Sequence, residues 1–345
     1  MKAASDNALQ RESKARRHSE AWHHLKWPLI ALAVVLLFNF FFTPLFFHLE
    51  MKDGRIYGSL IDILNRAAPV MLLSLGMTIV IATGGVDLSV GAVMAIAGSI
   101  AALLITKSSY SFLSIVILTV CACAVAGTWN GVLVAYAQVQ PIVATLILMV
   151  AGRGIAQLLT NGQIITFENP SFAFFGGGTF LALPFPITIV AVTFAILSTL
   201  VNRTAAGLFI EAVGDNEKAS NYSGINTRLV KLAAYTLGGI CAGLAGLIVA
   251  SDIKAADANN AGLYLELDSI LAVVVGGTAL TGGRFFLLSS LAGALLIQTI
   301  TTTILTRAIP VEFTLIVKAV VIIIVCLLQS EEFRKKALQL VRRKS

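Results

Sequence analysis

The sequence predicts an all-α, polytopic membrane protein: about ten transmembrane helices in two pseudo-repeated halves, with both termini cytoplasmic. Three observations predict it. Hydrophobic residues make up 57% of the 345 and charged residues only 12%. A soluble domain carries about 25% charged residues, so this much apolar surface cannot be hidden in one soluble core. Basic residues crowd the two ends of the chain. A glycine-rich string, GGVDLSVG at 84–91, returns in altered form as GGTALTGG at 276–283.

The helices follow from length. A span needs about 20 mostly apolar residues. Such segments run 28–47, 62–82, 89–106, 112–136, 141–160, 185–201, 229–250, 268–282, 285–306 and 313–330. The segment 268–282 is short and ends close to Gly-Gly pairs. The first follows a long polar head without a small-residue cleavage site, so it reads as an uncleaved helix and not a signal peptide.

An even number of spans returns both ends to one side, and basic flanks mark that side as cytoplasmic. The head, 1–27, holds Lys2, Arg11, Lys14, Arg16, Arg17 and Lys26. The tail, 331–345, holds Arg334, Lys335, Lys336, Arg342, Arg343 and Lys344. The loop 202–228 falls after six spans and carries Arg203, Lys218 and Arg228. The long loops on the other side, 161–184 and 251–267, hold Lys254 alone. The chain thus divides into a basic head, a membrane domain at 28–330 and a basic tail. The net charge of +7 suits anionic lipid headgroups, not nucleic acid. Loop 161–184 is expected to lie along the outer membrane surface. Loop 251–267, with Asp252, Asp257, Asn259, Asn260 and Glu266, and Asp268 just beyond, is expected to face outward.

The repeated string has the form Gly-Gly-x-x-Leu-[Ser/Thr]-x-Gly, and Ala-Gly follows at 97–98 and 292–293. Weak two-fold symmetry with Gly-interrupted segments is a mark of transporters. Glycines weaken a helix, and Asp87 is costly in hydrocarbon. Two readings of GGVDLSVG stay open: a broken helix lining a solute path, or a short cytoplasmic turn. In either, Ser89 is placed to cap the next helix and Asp87 to face its positive end. Asn130 sits between Gly127 and Gly131, a small-xxx-small pair that lets helices approach. Arg66 and Lys318 are expected to snorkel outward. Arg153, flanked by glycines, is a candidate for a functional or helix-pairing role.

No catalytic or metal-binding set is expected. The chain has no G-x-x-x-x-G-K-[ST], so it supplies no P-loop for ATP. His18, His23, His24 and His48 lack metal-ligand spacing. Cys121, Cys123, Cys241 and Cys326 lie in apolar segments and read as packing residues. The loop EAVGDNEKASNYSGIN is expected to form a short surface helix, capped by Asp215 or Asn216 and stopped by Gly224. It would serve as a docking helix for a soluble engine.

Those loop residues, with GGVDLSVGAVMAIAG, WNGVLVAYAQVQPIVATLILMVAGRG and VVVGGTALTGGR, resemble the sugar-importing ABC permeases of the ribose and xylose type. GRIYGSLIDILNRAAPV, AQLLTNGQIITFENP and DIKAADANNAGLYLELDSILAVV resemble the galactofuranose permeases among them. The resemblance runs from about residue 60 to 330. It implies a bacterial inner-membrane subunit that is no enzyme and holds no cofactor, ATP being bound by a partner. It implies a soluble ABC ATPase docking at Glu211, Asp215, Asn216, Glu217, Lys218, Ala219 and Gly224. It also implies a second, different permease chain and a periplasmic sugar-binding protein. Gly84, Gly85, Asp87, Ser89, Asn130, Thr145 and Gln298 are the expected path or hinge residues. The rival reading is an ion-coupled secondary transporter.

Overall fold

The computed structural model describes residues 22, 24–52, 55–108, 110–307, 310 and 313–329. Most of the basic head and all of the basic tail lie outside the described residues.

Thirteen helices carry the fold among those residues. They are α1 (His24–Phe42), α2 (Ser59–Ala82), α3 (Val90–Lys107), α4 (Phe112–Ala135), α5 (Pro141–Thr160), α6 (Pro170–Gly177) and α7 (Phe185–Arg203). There follow α8 (Ala206–Asp215), α9 (Glu217–Tyr222), α10 (Thr227–Ile253), α11 (Leu265–Val275), α12 (Leu287–Thr306) and α13 (Phe313–Gln329). Eight of them, α1 to α5, α7, α10 and α12, are long and apolar enough to cross a membrane. Nine of the ten predicted spans are thus helices of 17 residues or more.

The tenth is corrected. Segment 268–282 holds α11, of 11 residues. That helix rises about 16 Å, against ~30 Å of hydrocarbon, so the helix alone is too short to span; the non-helical chain after it continues to Gly283, which bonds the Ala82 carbonyl at the end of α2. Gly276 and Gly277 end α11, the latter at φ +86°.

α2, α3, α10 and α12 form the interior, while α1, α4, α5 and α7 leave most of their apolar surface outward. α10 is the hub, packed on α2, α3 and α4. Small residues let it sit so close. A methyl group on Gly239 would overlap the Cys123 carbonyl, and one on Gly127 the Tyr235 carbonyl. Gly131 faces Leu232 at the next turn. Hydroxyls add interhelical bonds: Thr128 to Thr236 at 2.9 Å, and Thr78 to Ser290 at 2.8 Å. Such bonds contribute about 0.6 kcal/mol each in a membrane, so close backbone packing sets the geometry. Gly239→Val is accordingly expected to cost about 1–3 kcal/mol through overpacking, seen as a lowered melting temperature in detergent.

The two long loops fold onto the bundle. Ile165 and Thr166 pair with Ala256 and Ala255 in a short antiparallel ladder. Ser251 Oγ donates to the Phe172 carbonyl and accepts from Gly176 N–H at 2.7 Å. Phe172 and Phe167 are buried there. Loop 161–184 therefore caps the ends of α3 and α10 and is not spread sideways. In the second loop Asp252, Asn259 and Asn260 are exposed, but Glu266 and Asp268 belong to α11 and are buried.

Lys318 departs from the snorkelling expectation. It is buried, and its Nζ lies 2.7 and 3.0 Å from the two carboxylate oxygens of Asp268. The face of α13 that carries it is turned toward α11, so the charge is met inside the bundle. Arg66 is exposed and pairs with Asp62 at 2.8 Å.

Candidate functional site

The string GGVDLSVG closes α2 and opens α3. Gly84 takes φ +80°, and the N–H groups of Gly84 and Gly85 return to the carbonyls of Ile81 and Val80. This is a Schellman end, in which a left-handed glycine satisfies the last carbonyls. Gly277 plays the same part after α11, with Gly277 and Thr278 bonded back to Val274 and Val273. The two repeats are thus related structurally, but Gly84 corresponds to Gly277, one residue off the alignment read from the strings.

Beyond the glycines the chain turns inward. Asp87 is 2% exposed. Its Oδ1 accepts from Ser89 Oγ at 2.6 Å and from Ser89 N–H at 2.9 Å. Asn130 Nδ2, from α4, donates to Ser89 Oγ at 2.9 Å and reaches Asp87 Oδ1 at 3.4 Å. Thr145 Oγ1, from α5, lies 3.4 Å from the Val86 carbonyl and 3.0 Å from that of Pro141. Ser89 does not cap α3 with its side chain; its hydroxyl is given to Asp87 instead.

α10 supplies what sequence reasoning missed. Tyr235 is fully buried, and a methyl group on Gly85 would overlap its hydroxyl. The hydroxyl of Tyr235 and the Oδ1 of Asn130 are both buried without a hydrogen-bond partner among the described residues. No cation pairs with Asp87 among the described residues. The result is a closed polar knot joining α2, α3, α4, α5 and α10. It is sealed in this structure, with Asp87, Ser89, Asn130 and Thr145 all buried. Gln298 is not bonded into the knot; its amide donates to Thr302 on α12 at 3.4 Å.

Arg153 has a different task. Its Nη1 donates to the carbonyls of Ala258 and Ala261 at 3.0 and 2.6 Å, while Gln157 bonds Asn259 at 2.8 Å. These contacts pin loop 254–264 to α5. The Gly262 carbonyl and Glu266 then sit against Gly91, where no side chain fits. In that loop, desolvation raises the Asp257 carboxyl, but hydrogen bonds from the Asn260 side chain and the Asn259 and Asn260 N–H groups prevail. Its pKa falls below the ordinary value.

At the α8–α9 corner the structure shows two helices where one was expected. Asn216 Oδ1 accepts from Ala219 N–H at 3.0 Å and so starts α9; Asp215 is the last residue of α8. Gly224, at φ +85°, follows its end. Glu217 pairs with Lys231 of α10 at 2.6 Å. Glu211 lies on α8, while Lys218 and Ala219 of α9 are exposed, and Tyr222 is 91% exposed. Nothing in the sequence singled out that tyrosine.

The family described as "Branched-chain amino acid transport system / permease component" matches residues 59–326. The galactofuranose transporter permease protein YtfT of Escherichia coli (strain K12) is 54% identical over 314 residues, 89% of this chain and 92% of its own length. The fructose import permease protein FruF of Bifidobacterium longum is 34% identical over 93% of this chain and 92% of its own. The ribose import permease protein RbsC of Bacillus subtilis is 35% identical over 94% of this chain and 98% of its own. No solved structure matches. A family match from the start of α2 to near the end of α13, and relatives this similar along almost their whole lengths, settle the kinship: the chain is a multi-pass membrane protein of the branched-chain amino acid transport permease family.

Proposed function

We propose that this chain is the membrane-spanning permease subunit of an ATP-driven ABC importer and that its solute is a monosaccharide, galactofuranose in particular. The observation that carries the reading is the α8–α9 corner: a pair of short helices that exposes Asp215 to Ala219, in a chain whose relatives are import permeases. A soluble ATPase docks on that corner through Glu211, Asp215 to Ala219 and Gly224. A second permease chain completes the pore, and a periplasmic sugar-binding protein delivers the solute from the other side. Both termini and the α8–α9 corner then face the cytoplasm, in the inner membrane of a bacterium. The chain carries no catalytic step; ATP is hydrolysed by its partner. The polar knot around Asp87 lies where helices must part for solute to pass. Similarity to the galactofuranose permease at 54%, against 34–35% for the fructose and ribose relatives, supports the choice of sugar.

The test is uptake by vesicles holding the assembled transporter, with galactofuranose beside ribose and with ATP supplied or withheld. ATP-dependent uptake that favours galactofuranose is expected. Uptake indifferent to ATP would sink the reading and favour an ion-coupled carrier.

A second expectation concerns the docking face. Tyr222 is nearly free of contact in this chain, so Tyr222→Asp should leave stability within about 0.5 kcal/mol. Buried aromatics anchor interfaces by ~2 kcal/mol or more. Retention of the ATPase on the purified permease should therefore fall about thirty-fold in affinity, measured by titration of the labelled ATPase. Unchanged affinity would remove Tyr222 from the docking face.

A further inference from the structure

We propose that Gly214 is the joint through which α8–α9 moves both halves of the membrane domain together. The inference rests on the reading that a partner docks on α8–α9, and it names a residue and a route that reading does not.

Three backbone segments meet at one point. The first is the end of α2, where Ala82 leads into Gly84. The second is the far end of the repeated string after α11, at Gly282 and Gly283. The third is the last turn of α8, at Gly214. The halves are tied directly, because Gly283 N–H donates to the Ala82 carbonyl at 2.9 Å. Gly214 lies against both members of that bond: a methyl group placed on it would overlap the Ala82 oxygen and the Gly283 nitrogen. A methyl group on Gly282, which takes φ +92°, would lie 2.8 Å from Gly84 N and 2.9 Å from the Gly214 carbonyl.

This packing is backbone on backbone. Side chains absorb small displacements by changing rotamer, whereas bare peptide units in contact have no such slack. The delivering element is also stiff. Asn216 caps α9 directly behind Gly214, and Glu217 is held by Lys231. A push on α9 therefore arrives at Gly214 as rigid-body movement and reaches the α2 end and the Gly282–Gly283 segment at once. From the first the chain leads within five residues to Asp87 and Ser89. From the second it leads back into α11, which carries Asp268 and Glu266. The closeness required at Gly214 accounts for a glycine inside a helix, where it costs about 1 kcal/mol against alanine.

The experiment uses the assembled transporter. ATP-driven uptake by the wild type tests the proposed function; the arms below test the joint alone. Gly214→Ala is expected to retain the bound ATPase and its ATP hydrolysis while uptake falls about ten-fold, within the range for residues on a coupling route. Uptake within two-fold of the wild type would overturn the proposal. A second arm needs no variant and so cannot be lost to misfolding. Amide hydrogen exchange is measured on the wild-type complex with and without ATP and magnesium. Peptides spanning 80–86, 212–216 and 280–285 are expected to change protection together. A change at 212–216 with neither of the other two responding would refute the joint.

Discussion

Lys318→Met is expected to be among the most damaging single changes in the membrane domain, costing about 3–5 kcal/mol of stability. The substitution removes one member of a buried ion pair and leaves Asp268 without its counter-charge. Both residues are 7% exposed, and the ammonium meets both carboxylate oxygens. The pair joins α11 to α13, which also packs on α12. The double variant Asp268→Leu, Lys318→Met removes both charges and is expected to recover most of the loss. Apolar replacements of buried pairs are often neutral or stabilising by about 1–4 kcal/mol. The measurement is a double-mutant cycle on unfolding in detergent. A cost below about 1 kcal/mol for Lys318→Met, typical of an exposed pair, would mean that water reaches the pair.

That same pair shows what a sequence conceals. Lys318 and Asp268 are 50 positions apart. In an apolar span a lone lysine reads as a residue on its way to the headgroups. Periodicity cannot correct this, because lipid-facing and core-facing residues in a membrane are both apolar. Spans themselves are legible, since crossing hydrocarbon demands length and satisfied backbone. α11 escapes the rule for the same reason: it is covered by protein, with α2, α12 and α13 around it, so the chain beside it need not be helical.

The polar knot divides in a similar way. Asp87, Ser89 and Asn130 stand out because each is expensive in hydrocarbon, and the structure brings these three together, with Thr145 beside them. Tyr235 was silent, since a tyrosine in an apolar span has an ordinary place at the membrane interface. Only the rotation of α10, set by Gly239 against α4, turns its hydroxyl toward Gly85. Gln298 carried the same polar signal as Asn130, yet α12 directs it to Thr302. Residue type marks which groups need partners. The partner is chosen by helix rotation, which the string does not display.

Asp87→Asn is the change expected to separate chemistry from architecture at this knot. The amide has the carboxylate's shape and keeps an oxygen for the two Ser89 donors on Oδ1. It replaces Oδ2, which accepts no hydrogen bond among the described residues. Folded yield and melting temperature should therefore stay near those of the wild type. Asp87→Leu differs, because it takes the acceptor from the Ser89 hydroxyl, the Ser89 N–H and one Asn130 N–H in a dry interior, at about 1–3 kcal/mol per buried group left unsatisfied. It should lower the melting temperature as well as uptake. If Asp87 only shapes the turn, Asp87→Asn will transport normally. If the carboxylate takes part when the helices separate, uptake should fall at least about ten-fold at unchanged fold and ATPase binding, equal to 1.4 kcal/mol. The second outcome is the expected one. A turn needs an acceptor, and asparagine serves turns as well as aspartate does. A bare carboxylate with no cation beside it among the described residues, in a knot whose tyrosine hydroxyl lacks a partner there, is more than a turn requires.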